Sequence, residues 1–146
     1  MSRLRELQRN GRIRNIELAA RANLSESACL RRVKLLEHTG VIDSYTMNLD
    51  QSAVGLPGNV FAEITLVSQK REDLDVFETA VARVPEVMEC YLLAGEYDYL
   101  LRVVVEDAID YERVHHESLT ALPGVARIKS SFSLRTITKR QDLPLG

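Results

Sequence analysis

Apolar residues recur at helical spacing in three short runs near the start of the chain. They predict helices over residues 3–9, 16–22 and 26–39, with Asn15 as the cap of the second helix. Gly40 predicts the end of the third helix, because a residue without Cβ readily adopts the left-handed conformation found there. A tight turn joins the last two helices, and this arrangement predicts a helix-turn-helix motif.

The third predicted helix begins after Ser25, its expected N-cap, and has one apolar and one polar face. The apolar arc holds Cys29, Val33 and Leu36, and the polar arc holds Ser27, Arg31, Lys34 and His38. Such a helix is typical of one that lies in a DNA major groove. On its own, the pattern fits equally well an ordinary amphipathic helix with a solvated charged face.

Beyond Gly40 the apolar positions alternate instead of recurring at helical spacing. Residues 41–48 predict a strand or wing, and residues 50–58 have the composition of a linker. The remaining chain predicts strand, helix, strand, strand, helix and strand over residues 60–67, 71–84, 87–94, 97–105, 108–122 and 125–137. This order predicts an α+β fold with a ferredoxin-like sheet domain, whose open face is expected to pack against another subunit.

The net charge changes sign along the chain near the predicted boundary between the helical domain and the sheet domain. Residues 1–45 carry nine basic and five acidic side chains, a net charge of +4, whereas residues 46–146 carry a net charge of −6. This division predicts that the first domain meets nucleic-acid phosphate and the second does not. The two cysteines, Cys29 and Cys90, lack metal-type spacing, and no apolar run reaches the length of a membrane span, so the cytoplasm is the expected location.

Motifs for catalysis and metal binding are missing from the sequence. His115 and His116 are adjacent, and neighbours on a helix point about 100° apart, so they cannot chelate one metal together. No glycine-rich nucleotide motif and no nucleophile motif occurs. We therefore expect no catalytic residues, no metal and no cofactor.

Three segments carry a resemblance to a known family: LQRNGRIRNIELAARANLSESACLRRVKLLEHTGVI, AGEYDYLLRV and LPGVARIKSSFSLRTI. Over nearly its whole length the chain resembles the Lrp/AsnC, or feast-or-famine, regulators of prokaryotic transcription. The resemblance implies a winged helix-turn-helix domain over residues 1–45, a linker strand over residues 46–58 and a ferredoxin-like sensing and oligomerisation domain over residues 59–146. It implies double-stranded DNA and an amino-acid effector as partners, and homodimers that form tetramers or octamers. Family members usually have a longer first helix than this one.

The resemblance places DNA recognition on the polar arc of the third helix, where the residue pattern also places it. The helix N-terminus suits a phosphate, Arg31 and Lys34 suit phosphate or guanine, and Ser27 suits a base edge. Arg21 is a further candidate for backbone contact, whereas Arg32 is expected to be structural. The predicted DNA-binding residues are Arg12, Arg14, Ser25, Ser27, Ala28, Arg31 and Lys34.

The predicted effector site is the turn over residues 95–99. Gly95 exposes backbone N–H groups to a ligand carboxylate, and Asp98 suits an α-ammonium group. From the residues alone, an ordinary hairpin in which Asp98 caps backbone amides is an open alternative, and the resemblance favours the effector site. The resemblance also implies that the helix-to-strand junction at residues 122–124 and the last strand complete the pocket between dimers. The predicted ligand-binding residues are Gly95, Glu96, Tyr97, Asp98, Tyr99, Pro123 and Gly124.

Two other functions stay open at this stage. Some relatives with the same two-domain fold are sirohaem decarboxylases, which would need histidines or other polar groups in the cleft. The GEYDY turn and the basic third helix favour regulation instead. The short first helix motivates the other alternative, an effector-binding assembly protein with weakened DNA binding.

Overall fold

The computed structural model describes residues 2–146 and divides the chain into two compact units. The first unit comprises Met1–Asn48 and Ile137–Gly146, and the second comprises Leu49–Thr136. The division after Asn48 falls within residues 46–58, the linker strand that the resemblance implies, just before the linker composition at residues 50–58. The last ten residues, which we expected in the sensing domain, belong instead to the first unit.

Three helices form the first unit: α1 (Ser2–Arg9), α2 (Asn15–Arg21) and α3 (Glu26–His38). Their common core holds three buried side chains, with partly buried apolar neighbours around them. The buried residues are Leu18, Ala19 and Cys29, and the neighbours are Leu7, Ile13, Leu24 and Val33. The small Ala19 and Cys29 allow α2 and α3 to approach closely, and the predicted helix-turn-helix is confirmed.

The turn between α2 and α3 differs in detail from the prediction. Asn15 does not cap α2, because Arg14 takes the N-cap position without a side-chain cap bond. The Asn15 amide instead donates to the Glu26 carbonyl at 2.9 Å and so ties α2 to the start of α3. Asn23 has a φ of 51°, a left-handed conformation that asparagine tolerates better than most residues, and this reverses the chain between the helices.

The predicted wing and linker strand are not formed in the described chain, since residues 41–57 contain no strand. Alternation alone does not make a strand, because the backbone N–H and C=O groups need a partner strand, and the first unit is built of helices. Tyr45 from this segment returns to α3, where its hydroxyl donates to Glu37 Oε1 at 2.9 Å. Residues 51–55 form turns.

The second unit has the predicted order of strands and helices. Its elements are β1 (Gly58–Leu66), α4 (Arg71–Val81), β2 (Val87–Leu92), β3 (Tyr99–Val105), α5 (Ala108–Val114) and β4 (Val125–Phe132). All pairings in the four-stranded sheet are antiparallel, in the order β2-β3-β1-β4, which confirms the ferredoxin-like fold. The predicted last helix is α5 followed by a π-helical turn over His115–Leu119. None of the helices in residues 2–146 is long and apolar enough to cross a membrane.

Alternate residues of β1 and β3 point to the helices and form the main core. Ile64 of β1 and Leu101 of β3 are fully buried there, together with Phe77 of α4. On the opposite face of the sheet, Phe61 is 40% exposed and Tyr91 is 52% exposed. No helix of this unit covers that face, so it exposes apolar side chains among polar ones such as Arg102.

Strand β4 ends at Phe132, five residues before the predicted end at Ile137. Its partner β1 begins at Gly58, directly after Pro57, which has no backbone N–H to donate. The last bond between the two segments runs from the Ser133 N–H to the Asn59 carbonyl at 2.9 Å. Beyond that point the chain has no strand to pair with and leads to the first unit.

Candidate DNA interface and effector site

The polar arc of α3 forms an exposed cationic surface. Ser27, Arg31 and Lys34 are all exposed, while Cys29 on the opposite arc is fully buried. Within residues 2–146, neither Arg31 nor Lys34 takes part in an ion pair, so both charges are available to a ligand. Arg32, for which we expected a structural role, is also exposed, but it lies about 100° around the helix from Arg31.

The N-terminus of α3 is held by its predicted cap. The Ser25 hydroxyl accepts a hydrogen bond from the Ala28 N–H at 3.2 Å. The amides of Glu26 and Ser27 come too early in the helix to have a partner within it, so they point outward with the positive end of the helix dipole. Ala28 is partly buried, so only a contact with its exposed side is available to a base.

The arginines before and within α2 fall into two groups. Arg12 and Arg14 are exposed in the segment that leads into α2. Arg21 is engaged, because its guanidinium donates to Glu6 Oε2 at 2.5 Å and lies 4.0 Å from Glu17. The hydrogen bond with Glu6 raises the pKa of Arg21. Arg12 and Arg14 are therefore the stronger candidates for phosphate contact.

In the predicted effector turn, Asp98 is bonded to the end of β1. Its Oδ2 accepts the Leu66 N–H at 2.7 Å and the Gln69 side-chain amide at 3.2 Å. The Asp98 N–H also donates to the Ile64 carbonyl at 2.9 Å, so both backbone and side chain fix it in place. One oxygen of this carboxylate, Oδ2, therefore caps a backbone amide, as the alternative interpretation of the turn expected.

The remaining residues of the turn differ in exposure. Gly95 and Glu96 are exposed, and Tyr97 is partly buried. Tyr99 is only 1% exposed and lies in the core, with its ring centroid 4.4 Å from that of Phe77. Its side chain is therefore not part of the exposed turn in which we predicted it.

The second predicted segment also reaches the end of β1. The Gly124 carbonyl accepts the Val67 N–H at 2.8 Å, next to the Leu66 amide that Asp98 binds. Gly124 has a φ of 75°, in the left-handed region that favours glycine. Pro123 precedes it and is partly buried. The structure thus brings the two predicted segments together within one chain.

Sequence reasoning missed two polar residues that organise this unit. Gln69 donates to Asp98 and also to the Leu66 carbonyl at 3.0 Å, although nothing in its local sequence marks it. Arg102 of β3 donates to Asn59 Oδ1 and to Gln51 Oε1, each at 3.1 Å. A signal for Arg102 did exist, since it is a charged residue in an otherwise apolar strand.

Known proteins match both parts of the chain. The Lrp/AsnC ligand binding domain matches residues 59–143, and a winged helix-turn-helix DNA-binding domain matches residues 4–43. The leucine-responsive regulatory protein of Haemophilus influenzae is 43% identical over 142 residues, which cover 97% of this chain and 86% of that protein.

Solved structures with the same fold cover nearly the whole chain. A transcriptional regulator from Neisseria meningitidis, in complex with L-methionine, has a TM-score of 0.91 at 35% identity and covers 98% of this chain and 92% of its own. A feast or famine regulatory protein from M. tuberculosis, complexed with L-methionine, has a TM-score of 0.87 at 33% identity and covers 97% and 93% respectively. Both combine the two units described above.

Proposed function

Since the chain belongs to the Lrp/AsnC family of DNA-binding transcription regulators, we propose that it reads DNA with the exposed face of α3 and responds to an amino acid. The single observation that carries the first part is the pair Arg31 and Lys34, exposed and free of ion pairs within residues 2–146. The second part rests on Asp98 and Gly124, which accept hydrogen bonds from neighbouring backbone amides at the end of β1.

The DNA contacts follow from the chemistry of the α3 surface. Arg31 and Lys34 contact phosphates or guanine edges, and Ser27 contacts a base edge. The free amides at the helix N-terminus, with Arg12 and Arg14 nearby in sequence, bind the phosphate backbone. The Ser25 hydroxyl keeps the helix end in place, because it is already occupied as the cap.

A twofold dimer is the expected form of the regulator. The open face of the sheet exposes the apolar side chains of Phe61 and Tyr91, which burial against a second copy would remove from water. Two recognition helices in successive major grooves then read half-sites roughly 34–36 Å apart. Further assembly to tetramers or octamers belongs to the same proposal.

The effector proposal uses the unoccupied part of the Asp98 carboxylate. Both protein bonds go to Oδ2, so Oδ1 is available for the α-ammonium group of an amino acid. The exposed backbone at Gly95 and Glu96 supplies N–H groups for the ligand carboxylate. The relatives solved with L-methionine support this choice of ligand class.

The DNA half is tested by gel retardation on the DNA upstream of the gene, at several salt concentrations. In Arg31→Ala we expect weaker binding and a salt slope reduced by about one per subunit, or about two for the proposed dimer, because each subunit loses one phosphate contact. Arg83→Ala is the matched control, since Arg83 is an exposed arginine of the second unit. Equal losses in both variants would contradict the assignment to α3, and no retardation at low salt would contradict the function.

The effector half is tested by repeating the titration with a panel of amino acids that includes L-methionine and L-leucine. We expect at least one to shift the midpoint of retardation or the size of the complex. No response to any of the common amino acids would refute this half alone. We expect no enzymatic turnover, and decarboxylation of a sirohaem precursor by the purified protein would contradict that expectation.

A further inference from the structure

A cavity lies in the second unit, the sensing unit of the proposed function, between α4 and the edge strand β2. It has a volume of about 350 Å³ and opens to solvent on one side. Its lining residues come from α4, from the segment around β2 and from the start of β3. They are Glu78, Val81, Ala82, Val87, Met88, Glu89, Cys90, Leu92 and Tyr99.

The Tyr99 hydroxyl is an unpartnered polar group in this cavity. Tyr99 is 1% exposed, and its hydroxyl oxygen is buried with no hydrogen-bond partner among the described residues. A buried hydroxyl without a partner costs about 1–3 kcal/mol, so such a group calls for an occupant that supplies the bond. The other side of the ring packs on Phe77 and cannot provide one.

Two carboxylates lie near enough to act on this hydroxyl, and Glu78 has the larger effect and Asp98 the smaller. Burial raises the pKa of Tyr99 to about 12, and the nearby Glu78 carboxylate adds to the effect. The same two causes raise the pKa of Cys90 to about 11. Glu78 therefore lies within electrostatic range of both groups, while Glu89 is engaged by Arg102 at 3.6 Å on the other face of the sheet.

The lining favours one sign of ligand charge. Because Glu89 is paired with Arg102, the lining offers the Glu78 carboxylate, a hydroxyl and a thiol, but no lysine, arginine or histidine. An anion would meet Glu78 without compensation, whereas an ammonium group gains a charge-assisted hydrogen bond. The apolar wall formed by Val81, Val87 and Leu92 suits a short hydrocarbon chain.

We propose that this cavity binds a small aliphatic primary amine. The ammonium group donates to the Glu78 carboxylate and to the Tyr99 hydroxyl, and the hydrocarbon chain packs on Val81, Val87 and Leu92. This site is distinct from the effector turn, because it offers no group for the carboxylate of an amino acid. A ligand of about six heavy atoms binds in the millimolar range.

Cys90 provides a direct reporter of occupancy, because its thiol lines the cavity and is only partly buried. The other cysteine, Cys29, is fully buried in the first unit and reacts only on unfolding. We therefore measure the rate of Cys90 modification by dithionitrobenzoate on the full chain, with Cys90→Ser as the background. The probes are 3-methylbutylamine, 3-methylbutanoate and L-leucine at equal ionic strength.

We expect saturating 3-methylbutylamine to slow the modification at least about threefold, by occupying the cavity. We expect 3-methylbutanoate and L-leucine to leave the rate unchanged. Absence of protection at tens of millimolar amine overturns the proposal, and so does equal protection by the carboxylate. Neither result bears on DNA binding or on the effector turn.

Two substitutions locate the ammonium group. Glu78→Gln removes the charge from an exposed position, so the variant folds, and it should lose most of the protection. Glu72→Gln, at an exposed α4 position outside the cavity, is the matched control and should keep it. Tyr99→Phe should weaken protection while leaving the ring in place. Unchanged protection in Glu78→Gln overturns the proposal. An amine titration followed by NMR of the Val81 and Leu92 methyl groups checks independently where the amine binds.

Discussion

Replacement of Asp98 by alanine separates the two roles of this residue. In the structure the carboxylate accepts the Leu66 N–H at 2.7 Å and the Gln69 amide at 3.2 Å, both through Oδ2. The proposed function assigns Oδ1 to the ammonium group of an effector. One substitution therefore removes two hydrogen bonds within the protein and the proposed bond to the ligand, and different measurements detect the two kinds of loss.

The structural loss can be estimated from the bonds that disappear. A hydrogen bond to a charged group contributes about 1.5–3 kcal/mol, and the part-buried Leu66 amide is left without its acceptor. We expect Asp98→Ala to lower the free energy of unfolding of the sensing unit by about 2 kcal/mol, or its melting temperature by roughly 8–16 °C. Asp98→Asn keeps an acceptor oxygen of similar position, so we expect about half that loss.

The assay combines urea denaturation with the amino-acid titration of DNA binding. Glu96→Ala is the matched control in the same turn, because Glu96 is exposed, and it should change stability by less than about 0.5 kcal/mol. Full stability in Asp98→Ala would refute the structural reasoning. A normal amino-acid response in a folded Asp98→Ala protein would refute the ligand role.

Three further predictions concern separate parts of the chain. Ser25→Ala should destabilise the first unit by about 1 kcal/mol through loss of the α3 cap; unchanged thermal melting would contradict this. Gln8→Ala removes both bonds between the Gln8 amide and the Leu143 backbone, at 2.8 Å and 3.2 Å, so limited proteolysis should release the C-terminal tail faster than in the parent. Alkylation of Cys90 should accelerate about tenfold per pH unit between about pH 8 and 10, because its pKa is about 11 and only the thiolate reacts; a plateau below pH 9 would contradict this pKa.

The sequence was sufficient to predict the helices and the strand order. The helical and alternating periods each reflect burial of one face, so α3 could be assigned from Cys29 and Val33, and β1 from Val60, Ala62 and Ile64. The cap at Ser25 was predictable because it depends on its own neighbours in the chain. These features are local, and local patterns carry enough information to specify them.

Features that depend on distant partners could not be predicted in the same way. Residues 41–48 alternate as a strand does, but whether they pair depends on an available edge elsewhere. The end of β4 depends on where β1 begins, and the bond of Gln69 to Asp98 depends on the return of β3 to β1. Tyr99 was assigned to the turn by its position in the GEYDY segment, whereas its burial is set by Phe77 across the core.

The course of the chain gives the sensing unit two covalent connections to the DNA-binding unit. The chain enters the second unit at Leu49 and leaves it after Thr136, and Ile137–Gly146 is held in the first unit by bonds from α1. Gly124, at the proposed effector site, directly precedes β4, and β4 ends only four residues before the second crossing. A change at the effector turn therefore has a short route through β4 and the tail, besides the route through the linker. Loss of the amino-acid response in Gln8→Ala, with DNA binding retained, would assign the coupling to the tail, whereas a full response would leave the linker as the connection that matters.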